Sequence, residues 1–145
     1  MAVEVEVFAH QQPNRLLVCR LGGWVMRSVL GVGDVAAVIT EDGSDVWRVR
    51  WGTSVSVQVV ELPPGQYEFV DLWTVSVSPY ERGVDLGKVF AMAIADAAAV
   101  LADGFIRDEG GMAGGGDIPA GRSIARLLRC PSQDEAAILE FLKRT

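Results

Sequence analysis

Apolar and polar residues alternate with period two through residues 1–78, and the alternation predicts strands that bury one face and wet the other. Six segments carry it. Val3, Val5 and Val7 oppose Glu4 and Glu6; Leu17, Cys19 and Leu21 form one side of RLLVCRL; VAAVIT covers 35–40. DVWRVRW sets Trp47, Val49 and Trp51 against Arg48 and Arg50. SVSVQVV sets Val55, Val57 and Val59 against Ser54, Ser56 and Gln58, and QYEFVDLWTVSVS aligns Tyr67, Phe69, Trp73, Val75 and Val77. The breaks between them are short: EDGSD contains Asp-Gly, and Pro63-Pro64-Gly65 follows the fifth segment, so antiparallel pairing is expected. Residues 21–34, LGGWVMRSVLGVGD, hold four glycines and no clean period, and read as an irregular strand or loop.

At Asp85 the period lengthens to that of a helix. Leu86, Val89, Phe90, Ala93, Ala97, Val100 and Leu101 share one stripe, Lys88, Asp96 and Asp103 the polar edge, with Asp85 as cap and Gly104 as terminator. GFIRDE predicts a short strand, GGMAGGG a flexible link, IARLLR a short helix, and SQDEAAILEFLKR a terminal helix with Ser132 and Glu135 as a capping box behind Pro131. Strands first and helices afterwards, without regular βαβ alternation, predict one α+β domain over 1–145. Its expected form is a mostly antiparallel sheet of five to seven strands, with a long helix on one face and two short C-terminal helices.

GDIPAGRS, residues 116–123, has the spacing of a phosphate-binding loop: Gly, four residues, Gly, a cation, a hydroxyl. Its context differs from that of such a loop. GFIRDE ends in Asp108 and Glu109 before a glycine run, the lysine position holds Arg122, and only 22 residues follow Ser123. Asp117 stands where it could cap the next helix, placing a carboxylate on the N–H groups a phosphate would need. A glycine loop leading into a capped helix is therefore expected, with no nucleotide and no cofactor. The single histidine, His10, precedes the turn-like QQPN, and with two scattered cysteines it assembles neither a zinc set nor a nucleophile–base pair. Trp47, Trp51 and Trp73 share parity with the valines and are expected in the core.

At 145 residues, half of them hydrophobic and 22% charged, the chain can remove ~70% of its unfolded surface from water without staples. Cys19 and Cys130 lack a CxxC companion and read as packed thiols, with a bridge between them possible but unforced. MAVEVEVFAH has glutamates where a signal peptide needs cations, and VFAMAIADAAAV, broken by Asp96, falls short of a membrane span, so a cytoplasmic protein without membrane contact is expected. A net charge of −6 disfavours nucleic acid and favours a basic protein partner.

DLGKVFAMAIADAAAVLADGFIRDE, residues 85–109, resembles an element of small bacterial toxin-immunity proteins: a late helix closing in Asp-Gly, then a short apolar strand ending in acids. The resemblance implies a non-enzymatic binder that neutralises a toxin domain. Candidate partner-binding residues are Asp108, Glu109 and Asp117 beside the glycine loop, and Arg48 and Arg50 on the polar sheet face. Two other readings make different demands. A small-molecule or hydrolytic domain needs a pocket between the sheet and the 86–103 helix, edged by Trp24 or Trp73. A homodimer needs a sheet edge or the C-terminal stripe Ala136, Ile138, Leu139 and Leu142.

Overall fold

The computed structural model describes residues 4–53, 55–65, 69–81 and 83–144. Among these the order is β1 (Val5–Ala9), α1 (Arg15–Leu30), β2 (Ala37–Asp42), β3 (Val46–Trp51), β4 (Val55–Leu62), β5 (Trp73–Pro79), α2 (Asp85–Leu101), β6 (Gly104–Asp108), β7 (Gly116–Pro119), α3 (Arg122–Arg129) and α4 (Glu135–Lys143). The strands make one sheet in the order β2-β3-β4-β5-β1-β6-β7, every neighbouring pair antiparallel. After β1, α1 carries the chain to the far edge. Short connections lead from β2 to β3 and from β3 to β4, a longer one leads to β5 beside β1, and α2 leads over to β6 on the other side of β1.

The parity of the valine strands sets the layers. Val5, Val7, Trp47, Val49, Trp51, Val55, Val57, Val59, Val75, Val77 and Ile106 turn to one face and are buried. α2 lies on that face. It meets β1, β4, β5 and β6 below and α1, α3 and α4 around its other sides, so 13 of its 17 residues are buried. The expected single stripe is thus replaced by a helix apolar all round, as a helix at the centre of a core must be. Asp96, assigned to the polar edge, is inside.

α1 corrects the reading of residues 15–34. RLLVCRL and most of LGGWVMRSVLGVGD form one helix, which Asn14 caps by accepting from the Leu17 N–H at 3.1 Å and Gly31 ends in the left-handed region. The glycines that argued against a helix serve close approach. A Cβ on Gly22 would stand 2.6 Å from Ile94 Cδ1 of α2, and one on Gly23 would stand 3.1 Å from Ala37 Cβ of β2. Cys19 and Cys130 are both free; Cys19 is buried with its Sγ against the Ala37 carbonyl, and burial raises its thiol pKa.

Other boundaries moved less. β5 begins only at Trp73, which is half-buried, and Phe69 belongs to the preceding connection, packed on Phe8 and Phe105 of the opposite sheet face. Val3, Ser54 and Tyr67 lie outside the described residues. Val84, not Asp85, is the N-cap of α2 and makes no side-chain cap bond. Asp134, not Ser132, caps α4 through the Ala137 N–H, while Ser132 Oγ accepts from the Asp134 N–H. The C-terminal stripe is spent within the chain: Ile138, Leu139 and Leu142 are buried in the core, and Ala136 alone of the four is exposed.

Candidate functional site

The phosphate-loop spacing resolves into a strand and a helix start. Gly116–Pro119 is β7, paired with β6 through Ile106↔Ile118 and Arg107↔Asp117. Gly121 is then the N-cap of α3, and its N–H donates to Asp96 Oδ1 at 2.9 Å while the Ile124 N–H donates to Asp96 Oδ2 at 2.8 Å. A carboxylate from α2 thus occupies the place where a phosphate would meet the helix start. Burial pushes the Asp96 carboxyl pKa up, and the N–H groups of Ile124, Gly121 and Ser123 only partly oppose it. Asp117, expected to be that cap, is instead exposed on β7 with Arg107 Nε 3.4 Å from its Oδ1.

A second interior carboxylate organises the glycine run. Asp108, at the end of β6, has no solvent exposure and accepts from Met112 N at 2.9 Å, Ala113 N at 2.7 Å and Gly115 N at 2.9 Å. Gly114, Gly115 and Gly116 all take positive φ, which lets the backbone curl around the acid. The link therefore has a fixed course. Asp108 cannot serve as a surface acid, whereas its neighbour Glu109 is exposed.

The third is Glu61, on β4 in parity with Val55, Val57 and Val59 and equally buried. It accepts from Trp47 Nε1 at 2.9 Å, Gln12 Nε2 at 3.2 Å and Arg15 Nη2 at 3.1 Å. Arg15 also reaches Asp42 and the carbonyls of Gly43 and Ser44, so the start of α1 is tied to the β2–β3 hairpin and to β4. Desolvation alone would lower the Arg15 pKa; hydrogen bonds and charge from Glu61 and Asp42 outweigh it, and the value is raised.

Arg48 and Arg50 stand on the sheet face away from α2. Arg48 pairs with Glu41 at 3.2 Å and lies 4.2 Å from the Tyr80 ring centroid, and Arg50 Nε donates to the Gly52 carbonyl. Four strand steps, about 19 Å, separate β3 from β6. The two arginines and the Glu109/Asp117 pair are therefore separate patches. His10 is exposed and closes on the Asp103 carbonyl at 2.8 Å. The interval between sheet and α2 is filled by Val7, Val57, Val77, Val89, Phe90 and Ala93, each without exposure; Trp24 stands exposed on the outer side of α1. Two small clefts, about 60 Å³ beside Arg122 and Arg126 and about 110 Å³ beside Lys88 and Lys143, are well below the size of a drug-like ligand's pocket.

Charge is unevenly shared. α1 and α3 hold six arginines and no acid. Removing those six from the thirteen cations leaves seven against nineteen acids, or sixteen once the buried Glu61, Asp96 and Asp108 are set aside. Among the described residues no helix is long and apolar enough to cross a membrane. Compared with protein-family models, with curated proteins and with solved structures, the chain matches none of them.

Proposed function

We propose that the chain is a non-catalytic protein-binding module of the immunity type, which neutralises a basic toxin domain by covering it with an acidic exterior. The observation that carries this reading is the division of charge. The three interior carboxylates are committed to Arg15, Trp47 and backbone N–H groups. Outside α1 and α3, sixteen acids remain against seven cations, a net of −9. Such a field steers a cationic partner and speeds its encounter more than it deepens its affinity.

Glu109 and Asp117 are exposed members of that field, beside a loop whose course Asp108 fixes. The test is co-expression with the toxic C-terminal module of a secreted protein encoded beside this chain. Expected is a stoichiometric complex without turnover, whose association slows roughly tenfold between low and moderate salt. Charge reversal at Glu109 and Asp117 should slow it further; equal loss on reversing acids anywhere on the surface would remove those two residues from the interface.

A further inference from the structure

Arg122 and Ser123, the cation and the hydroxyl of GDIPAGRS, border one cleft on the flank of α3 rather than at its start. We propose that this cleft, between α3, the glycine run and the end of α4, binds one tetrahedral oxyanion of the phosphate type through Arg122, Arg126 and Ser123. The inference does not depend on the reading above.

The cleft measures about 60 Å³ and lies between Arg122, Ser123 and Arg126 on one side, Gly114 and Gly115 on another, and Leu142. At 100° per residue the three α3 side chains fall within about 100° of one another around the helix. Arg126 is half-buried, and its Nη1 donates to the Leu142 carbonyl at 3.1 Å, which holds the guanidinium at the cleft wall. Arg122 is exposed, and neither arginine pairs with a carboxylate of the described residues.

Ser123 carries the argument. It is only 2% exposed, yet its hydroxyl has no hydrogen-bond partner among the described residues, where a buried hydroxyl is ordinarily paired. The oxygen is not sealed from solvent, so it opens on the cleft that the residue borders.

The two carboxylates of this corner are engaged elsewhere. Asp96 is sealed beneath the helix start on the N–H groups of Gly121 and Ile124. Asp117 also borders the cleft, but Ile118 points into the core, so strand alternation turns the Asp117 carboxylate to the other sheet face. Arg107 meets it there at 3.4 Å. The glycine wall is fixed in advance, because Asp108 accepts from the Ala113 and Gly115 N–H groups. Preformed walls lower the ordering cost of binding.

Donor chemistry selects the ligand. Guanidinium forks grip oxyanions through paired N–H groups, and the hydroxyl donates from a third direction, which suits a tetrahedral anion better than a planar one. The volume is the share of about two waters. One oxyanion therefore enters, and the organic part of a phosphate monoester stays outside.

The probe is inorganic phosphate, titrated into the full chain at constant ionic strength and followed by calorimetry and amide NMR spectra. Expected is saturable binding that shifts the amides of Gly114, Gly115 and Ser123, with sulfate competing and acetate and nitrate failing to compete. Arg122→Gln and Ser123→Ala should each weaken it roughly tenfold with circular dichroism unchanged, and Arg50→Gln, on the distant β3, should leave it unaltered. Phenyl phosphate separates the sources: equal affinity assigns the site to the terminus of a monoester, and exclusion assigns it to the free ion. Shifts that do not saturate, an equal response to acetate, or full affinity in both variants would overturn the proposal.

Discussion

A carboxylate sealed from water must find its hydrogen bonds indoors: Glu61 does so with side-chain donors, Asp96 and Asp108 with backbone N–H groups. Asp108 collects three backbone N–H groups of one loop, so Asp108→Ala strands all three; a loss of about 3 kcal/mol is expected in urea unfolding. Amide exchange at Met112, Ala113 and Gly115 should accelerate in the same variant, which a loss spread over the whole fold would not single out. Asp96 adds a pH dependence. Its folded pKa is raised, so its contribution to stability is complete below the unfolded value of about 3.9 and is lost as pH rises through the folded value. The unfolding midpoint of the parent chain should therefore exceed that of Asp96→Asn by more at about pH 4 than at about pH 7; a margin widening toward neutrality would mean that the fold prefers the charged form. Neither Asp96 nor Asp108 was legible as interior. Asp108 and Asp117 flank glycines, where acids are ordinarily solvated, and the helix-start donors near Asp117 are taken by a residue 25 positions away from Gly121, a pairing no local pattern encodes. Glu61 does carry a signal in the sequence: it continues the buried parity of Val55, Val57 and Val59.

At the scale of elements, β3 and β4 were the most legible strands because each buries one face only, and period two survives wherever one face stays wet. α1 was not, for two physical reasons. Its RLLVCRL stretch happens to alternate, and its Gly22-Gly23 pair imitates a break while marking the places where α2 and β2 come closest. The crossing at Gly22 is tight enough to test: Gly22→Val should cost about 2–3 kcal/mol, and pairing it with Ile94→Ala should return part of that loss in a double-mutant cycle. β7 escaped notice as a four-residue edge strand. The tie between α1 and the hairpin is likewise testable. Glu61→Ala leaves Arg15 and Trp47 facing an unfilled acceptor site, and about 3 kcal/mol should be lost. Replacing both charged partners together, as Glu61→Leu with Arg15→Met, should cost markedly less if the penalty lies in the orphaned ion.

The whole molecule is organised about two insiders, β1 among the strands and α2 among the helices. Its surface charge is divided accordingly: arginine on the outer helices, acid on the hairpins, strand ends and α4. The position of β1 reaches beyond binding. It is synthesised before every other described strand, yet its two neighbours are β5 and β6, whose pairings lie about 70 and 100 residues further along the chain. While the ribosome is still making the middle of the protein, VEVFA has emerged as a sticky ribbon without a berth. Folding must wait for distant sequence and should be slow, and the waiting ribbon is where a holding chaperone would find a grip.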